Sequence, residues 1–414
     1  MEKLTLRELA TPIIKAIDSI NYLLKSHHRH TAVIAYSIGK HIGLDDHQLC
    51  DLVIAAALHD IGALSVRERD GLIQHDVENP GPHCQMGYRM LVNFDAFQPV
   101  AQIIKHHHIM YRDLQIYPEG EVPFQSLILH LSDRVDVYTN PNYPILDQKR
   151  TIIDEIIQKS GIDFDPALVE AFVEVSKPDI FWINIGYMSI DDLFQLIHFY
   201  SDYELNLDKI LEFSMTISRI IDFRSSFTAS HSNTVAQLAG KIGEYLNFNQ
   251  EMQTKLKIAG YLHDIGKIGI DPGLIEKPGK LSNSEYNEVR MHSYLTGQIL
   301  NELSRSEWFQ DIVTWAKLHH ERIDGSGYPF GYHGDQIDDG VIIMGFADVL
   351  SALMEDRPYR APMPTQEAFQ LIENQIAPKL SVEMFETIKS HQQEIEEIVQ
   401  ASQKSCKQEY HQSL

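Results

Sequence analysis

The chain has 414 residues, and its 58 acidic and 35 basic side chains give a formal net charge of −23. This balance argues against a nucleic-acid polymer as partner, since such binders need a basic face, and against docking on an anionic membrane surface. Three widely spaced cysteines, no signal-peptide pattern and no apolar stretch of about 20 residues predict a cytoplasmic protein without disulfides.

Most of the chain is predicted to be helical, because apolar residues recur at steps of three and four. The Asn- and Pro-rich segment 139–144 and the Lys-Pro-Asp segment 177–179 are typical breaks between helices. The segment 205–223 lacks Gly and Pro and carries an apolar stripe, which predicts a long helix. We interpret this stripe as packing within the chain, with a homodimer-forming helix as the alternative.

These breaks predict the domain organisation. We expect a first domain over residues 1–200, a connecting helix over 201–222, a second domain over 223–405 and a C-terminal tail over 406–414. A weak internal repeat relates the two domains: at a constant offset of 204 residues, His27 aligns with His231 and the His-Asp-Ile-Gly run 59–62 aligns with 263–266. This repeat is too long for a solenoid unit or a propeller blade and indicates a duplicated helical domain.

Histidine and aspartate residues cluster at four places in the second half, each in or at the end of a predicted helix. Imidazole and carboxylate are ligands that suit iron, manganese or zinc. Six or seven such residues exceed the needs of one tetrahedral ion, so they predict two divalent ions with a shared ligand, for which Asp264 offers two oxygens. The residues are His231, His263, Asp264, His292, His319, His320 and Asp348.

Residues suited to binding phosphate lie close to these ligands in sequence. Lys267 directly follows the His-Asp-Ile-Gly run, Tyr328 lies in the Asp-Gly-Ser-Gly-Tyr-Pro segment 324–329, and Arg357 and Arg360 flank a Pro-Tyr pair. Guanidinium groups bind phosphate in a bidentate manner, and metal ions lower the pKa of a bound water. The pattern predicts phosphate-ester hydrolysis. The alternatives are structural ion pairs for the two arginines and for Lys267, and a loop-bracing role for Tyr328.

Residues 220–405 resemble the HD-GYP family of bacterial cyclic-dinucleotide phosphodiesterases. The motifs that carry the resemblance are HDIGKIGI at 263–270, KPGKLS at 277–282, HHERIDGSGYP at 319–329, ADVLSAL at 347–353 and RPYR at 357–360. The resemblance implies an all-α fold, here as two tandem HD-domain bundles joined by a long helix. It implies hydrolysis of cyclic di-GMP to linear pGpG, and in some members further to GMP. By position, Asp264 and Lys267 would be catalytic, and Tyr328, Arg357 and Arg360 would contact the substrate.

The resemblance also bears on the number of metal ions and on the substrate. Family members with three metal ions carry a glutamate four residues before the first ligand histidine, where this chain has Phe227. We therefore expect two ions, iron or manganese by resemblance. One would be held by His231, His263, Asp264 and Asp348, and the other by Asp264, His292, His319 and His320. A 3′3′-cGAMP-specific phosphodiesterase and a nucleotide-sensing module with little turnover are the alternatives.

The first half is predicted to be a degenerate HD domain with a regulatory role, and a second hydrolase is the alternative. Ala63 stands at the position of Lys267, and neither the Gly-Tyr-Pro segment nor the Arg-Pro-Tyr-Arg turn has a counterpart. A shift of one residue in the alignment of the two halves would select His106 and His107 as ligands in place of His107 and His108. A second metal site would be formed by His27, His59, Asp60, His83, His107, His108 and Asp133.

Overall fold

The computed structural model describes residues 2–18, 22–63, 81–199, 203–222, 230–275, 277–355 and 360–413. Contacts between Cα atoms divide these residues into two compact units. The first unit comprises the described residues within 3–10 and 17–204, and the second comprises residue 2 and those within 11–16 and 205–414. The two strands among these residues, β1 (Glu2–Leu4) and β2 (Tyr203–Leu205), have three residues each, so the all-α prediction is confirmed.

Ten α-helices among the described residues precede β2. Their bounds are α1 (Leu6–Asp18), α2 (Tyr22–His41), α3 (Asp46–Leu58), α4 (Gly81–Leu91), α5 (Gln98–Lys105), α6 (Phe124–Val137), α7 (Ile145–Gln158), α8 (Pro166–Val175), α9 (Asp179–Tyr187) and α10 (Ile190–Gln195). Helix α3 forms the centre of the first unit because every residue from Leu49 to Leu58 is buried. A capping box between Asp45 and Gln48 fixes its first turn.

Ten further α-helices follow β2 in the part of the chain that the structure describes. Their bounds are α11 (Leu207–Asp222), α12 (His231–Tyr245), α13 (Gln250–Leu262), α14 (Pro272–Ile275), α15 (Asn283–Ile299), α16 (Glu307–Leu318), α17 (Asp339–Met354), α18 (Thr365–Gln375), α19 (Val382–Ser390) and α20 (Gln392–Ser413). Helix α17 is apolar over most of its length and is buried at the centre of the second unit. Asp338 caps its first turn, and side-chain caps also start two of the other helices of this unit: Asn249 for α13 and Ser282 for α15.

Two sequence-predicted boundaries differ from the observed elements. The connecting helix expected at 201–222 is α11, which begins at Leu207 and groups with the second unit. The residues expected as a tail from 406 continue helix α20 to Ser413, because this segment lacks Gly and Pro and is rich in helix-forming Lys, Gln and Glu. The predicted start of the second domain, at residue 223, lies outside the described residues, which resume at residue 230. No described helix is both long and apolar enough to span a membrane.

Candidate active site

In the second unit, the residues predicted as metal ligands converge around Asp264. Its Oδ2 lies 3.2 Å from Nε2 of His263 and 3.5 Å from Nε2 of His231, and its Oδ1 lies 3.5 Å from Nε2 of His292. The two carboxylate oxygens therefore face different histidines, as a ligand shared between two ions requires.

The remaining predicted ligands extend the cluster on both sides of Asp264. Asp348 Oδ1 lies 3.3 Å from Nε2 of His231, and Asp348 Oδ2 lies 3.7 Å from Nδ1 of His320. His319 Nε2 lies 3.3 Å from Nε2 of His292. The ligand atoms include two groups of three. One group is formed by His231, His263 and Asp264, and the other by His292, His319 and His320. Within each group, the three atoms lie within 4.8 Å of one another.

Backbone carbonyls orient three of these imidazoles. Nδ1 of His263, His292 and His319 lies 2.7, 2.6 and 2.7 Å, respectively, from the carbonyl oxygen of the residue three positions earlier. A carbonyl only accepts, so each Nδ1 carries the proton and each Nε2 keeps a lone pair for the cluster. His263 and His319 directly follow the last residues of α13 and α16, where helical carbonyls lack an intrahelical partner.

His231, the first residue of α12, is oriented by side chains instead. Its Nδ1 lies 2.9 Å from Ser351 Oγ and 3.2 Å from Oε2 of Glu355. Glu355 is buried, with 2% of its surface exposed. Glu355 was not among the residues predicted from the sequence, although its spacing of seven residues from Asp348 puts both near one face of a helix.

The cluster has the donor set and the unsatisfied atoms that a cation site requires. Nε2 of His263 and Oδ1 of Asp264 are inaccessible to solvent and have no hydrogen-bond partner among the described residues. Buried polar atoms in proteins are rarely left unpaired, so these two atoms fit coordination to a cation. Burial lowers the pKa of His292 to about 4, so this imidazole is neutral at pH 7 and able to bind metal.

Electrostatics keep the shared carboxylate charged. Burial alone would raise the pKa of Asp264, but the neighbouring His263, Lys267 and His292 hold it well below its usual range. Lys267 contributes directly, because its Nζ donates a hydrogen bond to Asp264 Oδ2 and its side chain is 17% exposed. The ion pair named as the alternative for Lys267 is therefore present, at the edge of the cluster.

The segment 324–332, here called the Gly-Tyr-Pro loop, is built around the buried carboxylate of Glu321. This carboxylate accepts hydrogen bonds from the backbone N–H groups of Phe330, at 2.7 Å, and Tyr332, at 3.1 Å. A Cβ atom on Gly327 would lie 2.4 Å from the Cα of Glu321, so the loop needs glycine there. Glu321 was not among the residues predicted from the sequence.

The loop brings Tyr328 against the metal-ligand cluster. The ring centroids of Tyr328 and His320 are 4.7 Å apart, and the guanidinium carbon of Arg290 lies 4.5 Å from the Tyr328 centroid. Burial raises the pKa of the Tyr328 phenol, so it is a neutral hydrogen-bond donor at pH 7. Arg290 was also not among the residues predicted from the sequence. Its position two residues before His292 is the one feature of the sequence that indicates a place near the site.

The two predicted arginines are only partly accounted for. Arg360 donates through Nη2 to the carbonyl oxygen of Ala352 at 2.6 Å, and its Nη1 is buried without a hydrogen-bond partner among the described residues. Arg357 lies outside the described residues, as does Phe227, on which the expected number of metal ions depends.

The first unit assembles a similar cluster around Asp60. His59 Nε2 lies 3.4 Å from Asp60 Oδ2, and His83 Nε2 lies 3.7 Å from Asp60 Oδ1; the corresponding distances at Asp264 are 3.2 and 3.5 Å. His27 Nε2 lies 3.3 Å from Asp133 Oδ1, as in the matching pair of the second unit. The predicted second ligand set is thus brought together in space.

The geometry decides between the two alignments considered for the histidine run that follows α5. His107 Nε2 lies 3.4 Å from His83 Nε2, and the ring of His108 lies 5.0 Å from that of His83. His106 instead places Nδ1 3.1 Å from the carbonyl oxygen of Gln102. His107 and His108 therefore occupy the positions that correspond to His319 and His320.

The surroundings of the first cluster differ from those of the second. Ala63 provides no cation where Lys267 does, and Arg134 donates from Nε and Nη2 to Oδ2 of Asp133, at 3.0 and 2.7 Å. Asp136, which the sequence analysis did not single out, lies 2.7 Å from Nδ1 of His27.

Comparisons with known proteins agree with this architecture. Family models described as HD domain match residues 24–138 and 215–380. The 3′3′-cGAMP-specific phosphodiesterase 1 of Vibrio cholerae is 30% identical over 403 residues, which cover 94% of this chain and 92% of that protein. A cyclic di-GMP phosphodiesterase of Thermotoga maritima is 34% identical over 200 residues, 48% of this chain and 53% of that protein. A crystal structure of a cyclic GMP-AMP-specific phosphodiesterase from V. cholerae shares the fold, with a TM-score of 0.62 at 24% identity, over 94% of this chain and 98% of that one.

Proposed function

The chain belongs to the HD-GYP family of cyclic-dinucleotide phosphodiesterases, and we propose that its second unit hydrolyses 3′3′-cGAMP to a linear dinucleotide. The observation that supports hydrolysis is the Asp264 cluster, in which the two carboxylate oxygens face different histidines beside Lys267. The first unit has the ligands without the adjacent lysine, so we assign hydrolysis to the second unit and a regulatory role to the first.

Different residues of the chain would bind the metal ions, stabilise charge on the phosphate and bind the substrate. Two divalent ions, iron or manganese, would be held by the seven residues around Asp264 and would supply Lewis-acid polarisation and a low-pKa water. Lys267 would offset charge on a non-bridging phosphate oxygen. Tyr328, held by the ring of His320 and by Arg290, would donate its phenolic hydrogen to a substrate oxygen, and Arg357 and Arg360 would bind the second phosphate.

The substrate proposal rests on the extent of similarity to named relatives. The V. cholerae relative that aligns with 94% of this chain is named for 3′3′-cGAMP. Cyclic di-GMP, which the motifs alone favoured, is the second candidate, because the T. maritima relative named for it is 34% identical over 48% of this chain. The two substrates differ in one base, so the contacts of that base decide between them.

The test is hydrolysis by protein loaded anaerobically with iron or manganese and supplied with each cyclic dinucleotide separately. We expect linear pApG-type product from 3′3′-cGAMP at a higher kcat/KM than pGpG from cyclic di-GMP, and no product from metal-free protein. The opposite order would transfer the proposal to cyclic di-GMP. Binding of both without turnover by metal-loaded protein would support the nucleotide-sensing module.

A variant of Lys267 tests the proposed hydrolysis independently of which cyclic dinucleotide is the substrate. Lys267→Met should lower kcat about 10²-fold, the scale for removing one group that stabilises developing charge, while the metal content stays unchanged. Lys404→Met, at an exposed position on α20, is the matched control. If Lys267→Met retained full kcat, the role assigned to this lysine would be wrong.

A further inference from the structure

A thiol lies within the ligand cluster of the first unit, where the second unit has a hydroxyl. Cys84 follows His83 on α4, as Ser293 follows His292 on α15. Cys84 is buried, and its Sγ lies 3.7 Å from His83 Nε2 and 3.6 Å from His107 Nδ1. His83, Cys84, His107 and His108 each offer one ligand atom, and these four atoms lie within 4.8 Å of one another.

Two of the separations among these atoms match tetrahedral zinc. With Zn–N near 2.05 Å and Zn–S near 2.3 Å, tetrahedral angles separate two nitrogen ligands by about 3.4 Å and a nitrogen from a sulfur by about 3.6 Å. The observed separations are 3.4 Å between His83 Nε2 and His107 Nε2, and 3.7 Å between His83 Nε2 and Cys84 Sγ.

His107 is already oriented for this role. Its Nδ1 lies 2.6 Å from the carbonyl oxygen of Ile104, so Nδ1 carries the proton and Nε2 is left to bind metal. A thiolate ligand favours zinc over harder cations such as manganese and magnesium, which suit carboxylate and water ligands.

The other half of the same cluster is unfavourable for an ion. Asp133 Oδ2 accepts two hydrogen bonds from the guanidinium of Arg134, whose side chain is 8% exposed. In the second unit the residue after Asp348 is Val349, which brings no charge. A buried guanidinium bound to this carboxylate repels a second cation there, so the first unit is suited to one ion.

The part of the first cluster that contains Cys84 is open to a cavity. Described residues enclose about 470 Å³ there, and Cys84, Lys105, His106, His108 and Tyr117 are among the lining residues. A metal site needs a path by which the ion enters, and this cavity provides one.

We propose that the first unit binds a single zinc ion through His83, Cys84, His107 and His108. This site differs in metal class and in ion number from the Asp264 cluster. It is inferred from the geometry of the first unit alone and does not depend on the proposed hydrolysis of a cyclic dinucleotide.

The test uses the full-length protein, stripped with a chelator and reloaded with Co²⁺ as a spectroscopic probe. Thiolate-bound Co²⁺ gives a near-ultraviolet charge-transfer band that nitrogen and oxygen ligands do not give. We expect this band in the parent protein, its loss in Cys84→Ser, and its retention in Cys50→Ser and Cys406→Ser. Zinc content should fall by one ion per chain in Cys84→Ser alone.

A second measurement needs no variant, so it remains decisive if Cys84→Ser does not fold. X-ray absorption at the zinc edge of the zinc-loaded parent protein should show a sulfur ligand at about 2.3 Å. Absence of this sulfur ligand, absence of the cobalt band in the parent protein, or survival of the band in folded Cys84→Ser would each overturn the proposal.

Discussion

Replacing Asp264 with asparagine should remove metal and activity together. The amide keeps one oxygen but loses the negative charge and the second oxygen, so it cannot face His263 and His231 on one side and His292 on the other, as the carboxylate does at 3.2 to 3.5 Å. A metal ion contributes several kcal/mol to a phosphoryl transition state, and about 4 kcal/mol corresponds to about 10³-fold in kcat. We therefore expect Asp264→Asn to lower kcat at least about 10³-fold.

The assay pairs product chromatography at saturating substrate with metal analysis of the same sample. Asp335→Asn, at an exposed position, controls for the chemical change. Asp60→Asn makes the same change at the centre of the first cluster, and the second unit should continue to hydrolyse substrate. Full turnover by metal-depleted Asp264→Asn, or equal loss of kcat in Asp60→Asn and Asp264→Asn, would refute the assignment of hydrolysis to the second unit.

Three further measurements test residues around the Asp264 cluster. Arg290→Met removes the guanidinium that lies 4.5 Å from the centroid of the Tyr328 ring. In steady-state kinetics this variant should have a KM raised about 10-fold and a smaller change in kcat. An unchanged KM would exclude Arg290 from the substrate site. Glu321→Gln leaves one acceptor oxygen for two loop N–H groups and should cost about 2 kcal/mol in urea unfolding, so a change below about 0.5 kcal/mol would contradict the role of Glu321. In metal-free protein, native His292 protonates near pH 4 and the unfolded histidine near pH 6.5, so its contribution to stability is lost as pH falls through this interval. The difference in unfolding free energy between the parent and His292→Gln should then change by about 2 kcal/mol from pH 7 to pH 5, in disfavour of the parent, and a difference independent of pH would contradict a buried neutral His292.

The helical fold and the residues that converge around Asp264 could be predicted from the sequence for a physical reason. A metal ligand must be imidazole, carboxylate or thiolate, so a small set of residue types marks the site wherever it lies in the chain. The same reasoning does not find Glu321 or Arg290. Each acts through a contact with a loop or ring distant in sequence, and glutamate and arginine are common on helix surfaces.

Orientation within the site was also inaccessible from composition and spacing. The proton on Nδ1 of His263 follows from an unpaired carbonyl at the end of α13, which depends on where that helix ends. The one-residue ambiguity between His106 and His107 has the same origin, because the last turn of α5 decides which imidazole faces Asp60. Helix ends are the least determined part of a sequence-based prediction, and these ligands lie there.

The two clusters share a backbone framework and differ in the residues around it. Each depends on a glycine two residues after its central aspartate: a Cβ on Gly62 would lie 2.0 Å from the carbonyl oxygen of His83, and one on Gly266 would lie 1.9 Å from that of His292. This close backbone approach joins the His-Asp turn to the helix that carries the next ligand, so the fold itself brings the ligands together in both units. The lysine and the Gly-Tyr-Pro loop are encoded separately and occur in the second unit alone. A complete ligand cluster is therefore evidence for a metal site, and the residues around it decide whether a phosphodiester is cleaved there.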